Sequence, residues 1–324
     1  MRFAVLARTL YPMNSNPIQL PAAATISDVE RDTGVAKETL RVWERRYDFP
    51  QPKRDSFGER VYPFEQVQKL RMIKRLIDLG YRPGKVIQFD MATLQALAEK
   101  AADRRGPARP QHPELHTYME LCRSLDAHAL RRRLSQALMV MGVKNFVIDL
   151  MAPLTAAVGD AWACGQFAVY EEHLVSESLQ AVMHSAVFAL PQANHLHPSP
   201  RPRILLTTLP QERHSLGLLM AEALFAAEGA QCISLGVQTP LPDIVEAARS
   251  QQVDVVALSF SSAMNTRQVT DSLKQLHARL PETVELWVGG GNAALRRRPP
   301  PQVRILDLHE IGAHLEDWRR SRAS

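Results

Sequence analysis

The hydrophobic rhythm of the chain divides it into three parts. Two stretches, Thr25–Leu79 and Leu115–Leu190, repeat apolar residues at the three- and four-residue spacing of amphipathic helices, and from Arg203 onward short continuous apolar runs take over. In the first stretch, Thr25-Ile26-Ser27-Asp28-Val29-Glu30 offers hydroxyl and carboxylate caps with Ile26 and Val29 at helical spacing, and Gly34 stops that short helix. A second helix over Ala36–Tyr47 places Leu40, Trp43 and Tyr47 on one face, while Lys37, Thr39, Arg41 and Arg45 point elsewhere. Phe49–Tyr62 then reads as a basic hairpin with Gly58 at its tip and Lys53, Arg54 and Arg60 flanking it. From Pro63, suited to a first helical turn, Val67, Leu70, Ile73, Leu76, Ile77 and Leu79 predict another amphipathic helix closed by Gly80, followed by a short one over Asp90–Ala102.

The middle stretch carries Leu121, Leu125, Leu130, Leu134 and Leu138, then Phe146, Leu150, Leu154 and Val158, then Leu174, Ser178, Val182 and Ser185, which predicts a compact helical bundle. In the last stretch, Arg203–Thr208, Cys232–Leu235, Val253–Leu258, Val284–Val288 and Val303–Leu306 read as buried strands alternating with helical segments. Strands that are apolar throughout and alternate with helices imply a doubly wound parallel sheet. The expected architecture is multi-domain, α and α/β: a winged helix-turn-helix, a four-helix bundle and a Rossmann-like sheet. Proline- and polar-rich stretches set the expected boundaries: a disordered tail at 1–20, a first domain at 21–102, a linker at 103–112, the bundle at 113–192, a linker at 193–202 and the sheet domain at 203–324.

Composition narrows the classes. The chain has 324 residues, 45% hydrophobic and 23% charged, which excludes wholesale disorder, collagen-like repeats and a disulfide mini-protein. A net charge of +5 permits a polyanionic partner without demanding one. Cys122, Cys164 and Cys232 lie far apart with no CxxC spacing, so a zinc cluster is disfavoured and a reducing, cytoplasmic setting is expected. No uninterrupted apolar run approaches the ~20 residues that span a bilayer, so no membrane partner is expected.

Parallel sheets of this kind bind ligands beyond the carboxyl ends of their strands. Three segments lie there: Glu212-Arg213-His214-Ser215-Leu216-Gly217 after the first strand, Ser259-Phe260-Ser261 after the third, and Gly289-Gly290-Gly291-Asn292 after the fourth. The glycine run follows a late strand and lacks an acidic residue about 20 positions on, so it is not the dinucleotide fingerprint.

Three resemblances add to this reading. The run from Thr25 through Val86, with Leu40-Arg41-Val42-Trp43-Glu44-Arg45-Arg46-Tyr47 and Arg60-Val61-Tyr62-Pro63, resembles the winged helix-turn-helix of the MerR family. That resemblance implies a double-stranded DNA operator as partner. Lys37, Thr39 and Arg41 would contact bases, and Arg45, Arg46, Tyr47, Lys53, Arg54 and Arg60 would hold phosphate or pack the wing. Glu212-x-His214-x-x-Gly217 is similar to the Asp-x-His-x-x-Gly pattern of cobalamin-binding domains. It implies His214 as the lower ligand of cobalt with Glu212 fixing its tautomer, the nucleotide tail running beside Ser259 and Ser261, and Gly289 and Gly290 leaving room for it. Trp162, nine residues and then Glu172-His173 resembles the bundle of cobalamin-dependent transcription factors of the CarH/LitR type. There the Trp lies over the upper corrin face and the Glu-His pair encloses the 5′-deoxyadenosyl group.

Taken together, the resemblance implies a DNA-binding repressor and not an enzyme, with adenosylcobalamin or another cobalamin as cofactor and a dimer or tetramer as its assembly. The signal is either which cobalamin is bound or light-driven loss of the adenosyl group. One departure bears on light. The family's light sensors carry a His directly after the Trp, where this chain has Ala163, so a bis-histidine photoproduct needs another group such as His173 or Cys164. Two rivals remain in view: a corrinoid-dependent methyltransferase or mutase component, against which the basic N-terminal module argues, and a MerR-like regulator that senses a different ligand.

Overall fold

Thr25 opens the first helix by a reciprocal cap: its hydroxyl accepts from the Asp28 N–H at 3.2 Å while the Asp28 carboxylate accepts from the Thr25 N–H at 3.2 Å. The computed structural model describes residues 23–103, 114–163, 166–190, 202–262, 264–292, 295 and 300–322. The expected tail lies outside these residues, as do both expected linkers except Asp103 and Pro202.

Helix α1 (Ile26–Thr33) ends at Gly34, whose φ of 68° no residue with a Cβ adopts cheaply, and α2 (Lys37–Tyr47) follows directly. The hairpin forms as expected from β2 (Lys53–Arg54) and β3 (Arg60–Pro63). An unpredicted strand, β1 (Ala23–Thr25), adds antiparallel to the other side of β3. Too short for a hydrophobic period, β1 is defined by its partner. Helices α3 (Phe64–Asp78), α4 (Pro83–Val86) and α5 (Met91–Asp103) complete a separate core of Val29, Leu40, Trp43, Tyr62, Leu70, Ile73, Leu76, Val86 and Leu94. Arg71 and Met72 on α3 are buried as well, outside the expected apolar stripe.

The bundle comprises α6 (Leu115–Arg123), α7 (Ala127–Asn145), a π-helical turn at Phe146–Met151, α8 (Ala152–Ala163) and α9 (Val169–Ala189). Leu130, Leu134, Phe146, Leu150, Leu154, Val158, Ser178 and Val182 face inward as their spacing predicts. Leu125 does not: it sits in the α6–α7 turn at φ 55° and is 54% exposed, while Ser185 is exposed on α9. Ala127–Ala163 runs as consecutive helical segments, and an 18-residue window within it has a mean hydropathy of 1.5, enough by composition to cross a membrane. A count of uninterrupted apolar residues misses this stretch. Gly142 leaves helical geometry within it (φ 72°, ψ 163°), and its buried residues belong to the bundle core.

The sheet domain contains β4 (Arg203–Thr207), α10 (Leu216–Ala227), β5 (Gln231–Ser234), α11 (Leu241–Ser250), β6 (Val255–Phe260), α12 (Thr266–His277), β7 (Glu285–Gly290), β8 (Arg304–Leu306) and α13 (Ile311–Arg322). All pairs are parallel, in the order β5-β4-β6-β7-β8. Strand β6 begins two residues later than the apolar run, because Val253 still closes the turn after α11 through its N–H to Ala248. One face of the sheet packs on α11 and α12. The other, through Ile204, Leu206, Val255, Ala257 and Trp287, joins α10, α13 and the bundle in one continuous hydrophobic core. That shared core brings α9 over the strand ends.

Candidate functional site

The loop after β4 gathers its polar groups around one buried carboxylate. Glu212 is 1% exposed; its Oε1 accepts from the His214 N–H at 3.0 Å and from His214 Nδ1 at 2.6 Å, and its Oε2 accepts from the Ser261 N–H at 2.7 Å. Burial opposes the Glu212 charge, yet the His214 ring and these backbone donors outweigh it and hold the carboxyl below its usual range. The same hydrogen bond raises the His214 pKa, with burial opposing and the Glu172 charge adding to it. In the neutral ring, with Nδ1 donating to Glu212, Nε2 carries the free lone pair on a side chain that is 65% exposed. A buried carboxylate that fixes the tautomer of an outward imidazole is the standard support for a metal-ligating histidine. The longer Glu, where the resembled pattern has Asp, spans from His214 to the end of β6.

Behind this pair, Thr208 Oγ1 donates to the Glu212 carbonyl at 2.8 Å and accepts from the Gln238 N–H at 2.8 Å. Asn292 is 1% exposed and ties the loop after β7 to the loop after β6, donating to the carbonyls of Ser261 at 3.1 Å and Met264 at 2.8 Å. In the sequence Asn292 stands only as the end of the glycine segment, and Thr208 only as the end of the first strand. A buried polar residue at the end of an apolar strand was the available signal.

The glycines have an internal reason. A Cβ on Gly290 (φ 114°) would lie 2.1 Å from the Phe260 carbonyl oxygen, and one on Gly217 would lie 2.7 Å from Ser259 Oγ. Close approach of the chain's own backbone therefore demands glycine at Gly290, whatever fills the crevice, whereas at Gly217 the crowding atom is the Ser259 hydroxyl. On Gly289 the added atom would meet the Leu306 carbonyl oxygen at 3.3 Å, a tighter fit than most.

From the bundle, α9 contributes a second histidine–carboxylate pair. Glu172 accepts from His173 Nδ1 at 2.7 Å and from Ser176 Oγ at 2.6 Å, leaving His173 69% exposed. Its charge acts on His214, so α9 faces the strand-end loop. Ser215 Oγ, donating to Gln180 Oε1 at 3.3 Å, joins the two elements. Trp162, at the end of α8, is half-buried against the bundle core, and the guanidinium of Arg71 lies 4.9 Å from its ring centroid. Ala163 is buried, whereas Cys164 lies outside the described residues. Ser259 and Ser261 are half-buried at the end of β6, beside the His214 loop.

In the first domain, Arg41, Arg45 and Arg46 on α2 and Lys53 and Arg54 on the hairpin are exposed. Lys37 and Thr39 are half-buried at the start of α2, with Lys37 3.5 Å from Glu30. Arg60 is taken: it pairs with Glu44 at 3.1 Å, and Tyr62 donates to the same carboxylate at 2.8 Å, which locks the hairpin to α2. Arg54 donates to the Gly58 carbonyl at the hairpin tip. Tyr47 is half-buried under Arg46, 5.3 Å from its ring centroid, and Trp43 is core.

A basic winged helix-turn-helix, joined to a helical bundle that overhangs a histidine-bearing crevice of a parallel sheet, defines a ligand-responsive DNA-binding regulator. Comparison with known proteins specifies the ligand. Residues 24–89 match the MerR HTH family regulatory protein model, and residues 114–185 and 202–299 match two B12 binding domain models. The chain is 30% identical to the HTH-type transcriptional repressor CarH of Myxococcus xanthus, over 89% of this chain and 94% of that protein. It is 31% identical to the HTH-type transcriptional repressor CarA of the same organism, over 74% and 76%. The monomethylamine corrinoid protein of Methanosarcina barkeri shares the fold alone, with a TM-score of 0.50 at 15% identity over 62% of this chain and 96% of that one. The chain belongs to the CarH family of MerR-type, cobalamin-controlled transcriptional regulators.

Proposed function

We propose that this regulator is a cytoplasmic repressor whose assembly and operator affinity are set by adenosylcobalamin, and that it is not an enzyme. The observation that carries the cofactor assignment is the buried Glu212 carboxylate holding His214 Nδ1 at 2.6 Å and the Ser261 N–H at 2.7 Å. In this reading His214 Nε2 would ligate cobalt, Glu212 would keep that nitrogen unprotonated, and Ser259 and Ser261 would line the path of the nucleotide tail. Trp162 would cover the corrin, and Glu172 with His173 would enclose the adenosyl group. The cofactor supplies a cobalt–carbon bond that light can cleave; binding, orientation and enclosure fall to the residues named. The donor set supports this reading, because His214 stands 65% exposed on a carboxylate that is itself 1% exposed. Of the upper-face groups, His173 remains exposed near the crevice, while Ala163 offers no ligand and is buried.

On DNA, Lys37, Thr39 and Arg41 read base edges while Arg45, Arg46, Lys53 and Arg54 hold phosphates; Tyr47 and Arg60 act through packing of α2 and the wing. A dimer or tetramer joins several such modules, so the assembly that cobalamin favours multiplies affinity for adjacent half-sites. Those half-sites should lie about 34 Å or a multiple apart.

The test is to load the purified chain with adenosylcobalamin in the dark, remove the excess, and record absorption, elution volume and operator binding before and after green light. A bound spectrum with a light-dependent change of assembly and loss of operator binding is expected. A bound spectrum with no such change would leave a cobalamin sensor blind to light, and methyl transfer by the loaded chain would overturn the non-enzyme assignment.

A further inference from the structure

The indole that the proposed function places over the corrin is already in contact with the DNA-binding domain. Arg71 sits on α3 with its side chain 3% exposed; its Nε and Nη2 fork the Asp32 carboxylate at 3.0 and 2.6 Å, and its guanidinium lies over the Trp162 ring. One turn further along α3, Arg75 reaches Asp160, two residues before Trp162, bonding its carboxylate at 2.5 Å and its carbonyl oxygen at 3.3 Å. Two arginines on one face of α3 therefore meet the last turn of α8.

Two features mark this contact as one made to open. The DNA-binding domain keeps a hydrophobic core distinct from that of the bundle, so separation exposes no shared apolar core. Moreover, the charge of Arg71 is balanced within its own domain by Asp32, so withdrawing it from Trp162 strands no unpaired buried ion. A third feature sets the direction. Trp162 already packs on the bundle core and carries Arg71 over its ring, yet to cover a corrin the indole must turn a free face to the crevice.

We propose that Arg71 and a bound corrinoid compete for Trp162, so that the Arg71–Trp162 stack and the Arg75–Asp160 pair form a clasp that holds the DNA-binding domain on the bundle and opens when cobalamin binds. The inference rests on the proposed role of Trp162 as the upper cover. Coupling of this kind is reciprocal: whatever weakens the clasp tightens cobalamin, and cobalamin frees the DNA-binding domain.

The experiment uses the full chain and adenosylcobalamin in the dark. Asp160→Ala removes an exposed partner outside both proposed binding sites, and Arg71→Lys keeps the charge but loses the planar stack and the fork. Cobalamin affinity, read from absorption, should rise roughly threefold in Asp160→Ala and up to about tenfold in Arg71→Lys, the range expected for an exposed ion pair and a cation–π contact. Spin labels at Glu65→Cys on α3 and Arg132→Cys on α7, in a chain with Cys164 and Cys232 replaced by Ser, should report one narrow distance distribution without cofactor and a longer, broader one with it. Should Arg71→Lys fail to fold, Asp160→Ala and the labelled chain still decide the matter. Unchanged or weakened affinity in Asp160→Ala, or a label distance indifferent to bound cobalamin, would overturn the clasp while leaving cobalamin binding intact. Trp162→Ala with undiminished affinity would remove the competition itself. Absence of any bound spectrum in the unmodified chain would instead defeat the underlying cofactor assignment, and the clasp with it.

Discussion

The molecule has two junctions, and they are built from opposite materials. Between bundle and sheet, Phe146, Leu154, Leu179, Met183, Leu219, Phe225 and Trp287 belong to one hydrophobic core with side chains almost wholly buried. Between the DNA-binding domain and the bundle, Arg71 and Arg75 meet Trp162 and Asp160. Each fully buried large apolar side chain contributes on the order of 1.5–3 kcal/mol, whereas an exposed ion pair contributes about 0–1 kcal/mol. The first junction is consequently permanent and turns bundle and sheet into a single ligand-holding block. In the proposed clasp, the second orients the DNA-binding domain and can release it. A regulator needs both: a rigid crevice for its ligand, and a DNA reader whose placement a small free energy can change.

The sharpest way to break this comparison is Phe225→Ala at the permanent junction. Loss of that fully buried ring should cost about 3–5 kcal/mol and lower the calorimetric transitions of bundle and sheet together, leaving that of the DNA-binding domain in place. Separate melting of bundle and sheet would refute the single block. A smaller effect is expected from Glu212→Gln, which keeps the size of the side chain but weakens its hold on His214. Cobalamin affinity, titrated by absorption, should fall roughly 10–100-fold, the usual result of removing a carboxylate behind a metal-bound histidine, and thermal stability of the DNA-binding domain should not move.

On the releasable side, Arg41→Ala should weaken operator binding by about 1–3 kcal/mol and relax preference at one base position, whereas Lys53→Ala should weaken all sequences alike and reduce the salt slope by about 1. Binding isotherms at several salt concentrations separate the two, and an identical response to both substitutions would refute the division of labour between α2 and the wing. The smallest effect belongs to Asp160→Ala, whose partner is a half-buried arginine: both blocks should melt within about 1 kcal/mol of the unmodified chain. A larger loss, seen by calorimetry, would make that junction structural and not releasable.

Much of this was legible along the chain because the relevant physics is local. Thr25 with Asp28, Gly34 and the pairing around Gly58 act within a few residues, so the helix-turn-helix and its wing can be read before any tertiary contact is known. Glu212 and His214 are two positions apart, and their pairing was implied by the resemblance of Glu212-x-His214-x-x-Gly217 to the cobalamin-binding pattern. Leu125 misled because helical spacing says nothing of a turn that interrupts it, and β1 was invisible because a strand of three residues exists only through pairing with β3.

By itself the sequence determined the three parts, their order, the parallel sheet and the residues gathered at its strand ends, since hydrophobic period, capping and loop position depend on neighbours a few residues away. Tertiary structure alone decided which distant groups share a carboxylate or a ring. The Glu212 bridge to the Ser261 N–H, the Asn292 tie between two loops and the burial of Arg71 between Asp32 and Trp162 all join groups remote in sequence. On an amphipathic helix an arginine between two apolar residues reads as a solvated one. Only the packing of α3 against α8, which supplies an aromatic face and leaves the charge to Asp32, makes burial of that arginine favourable.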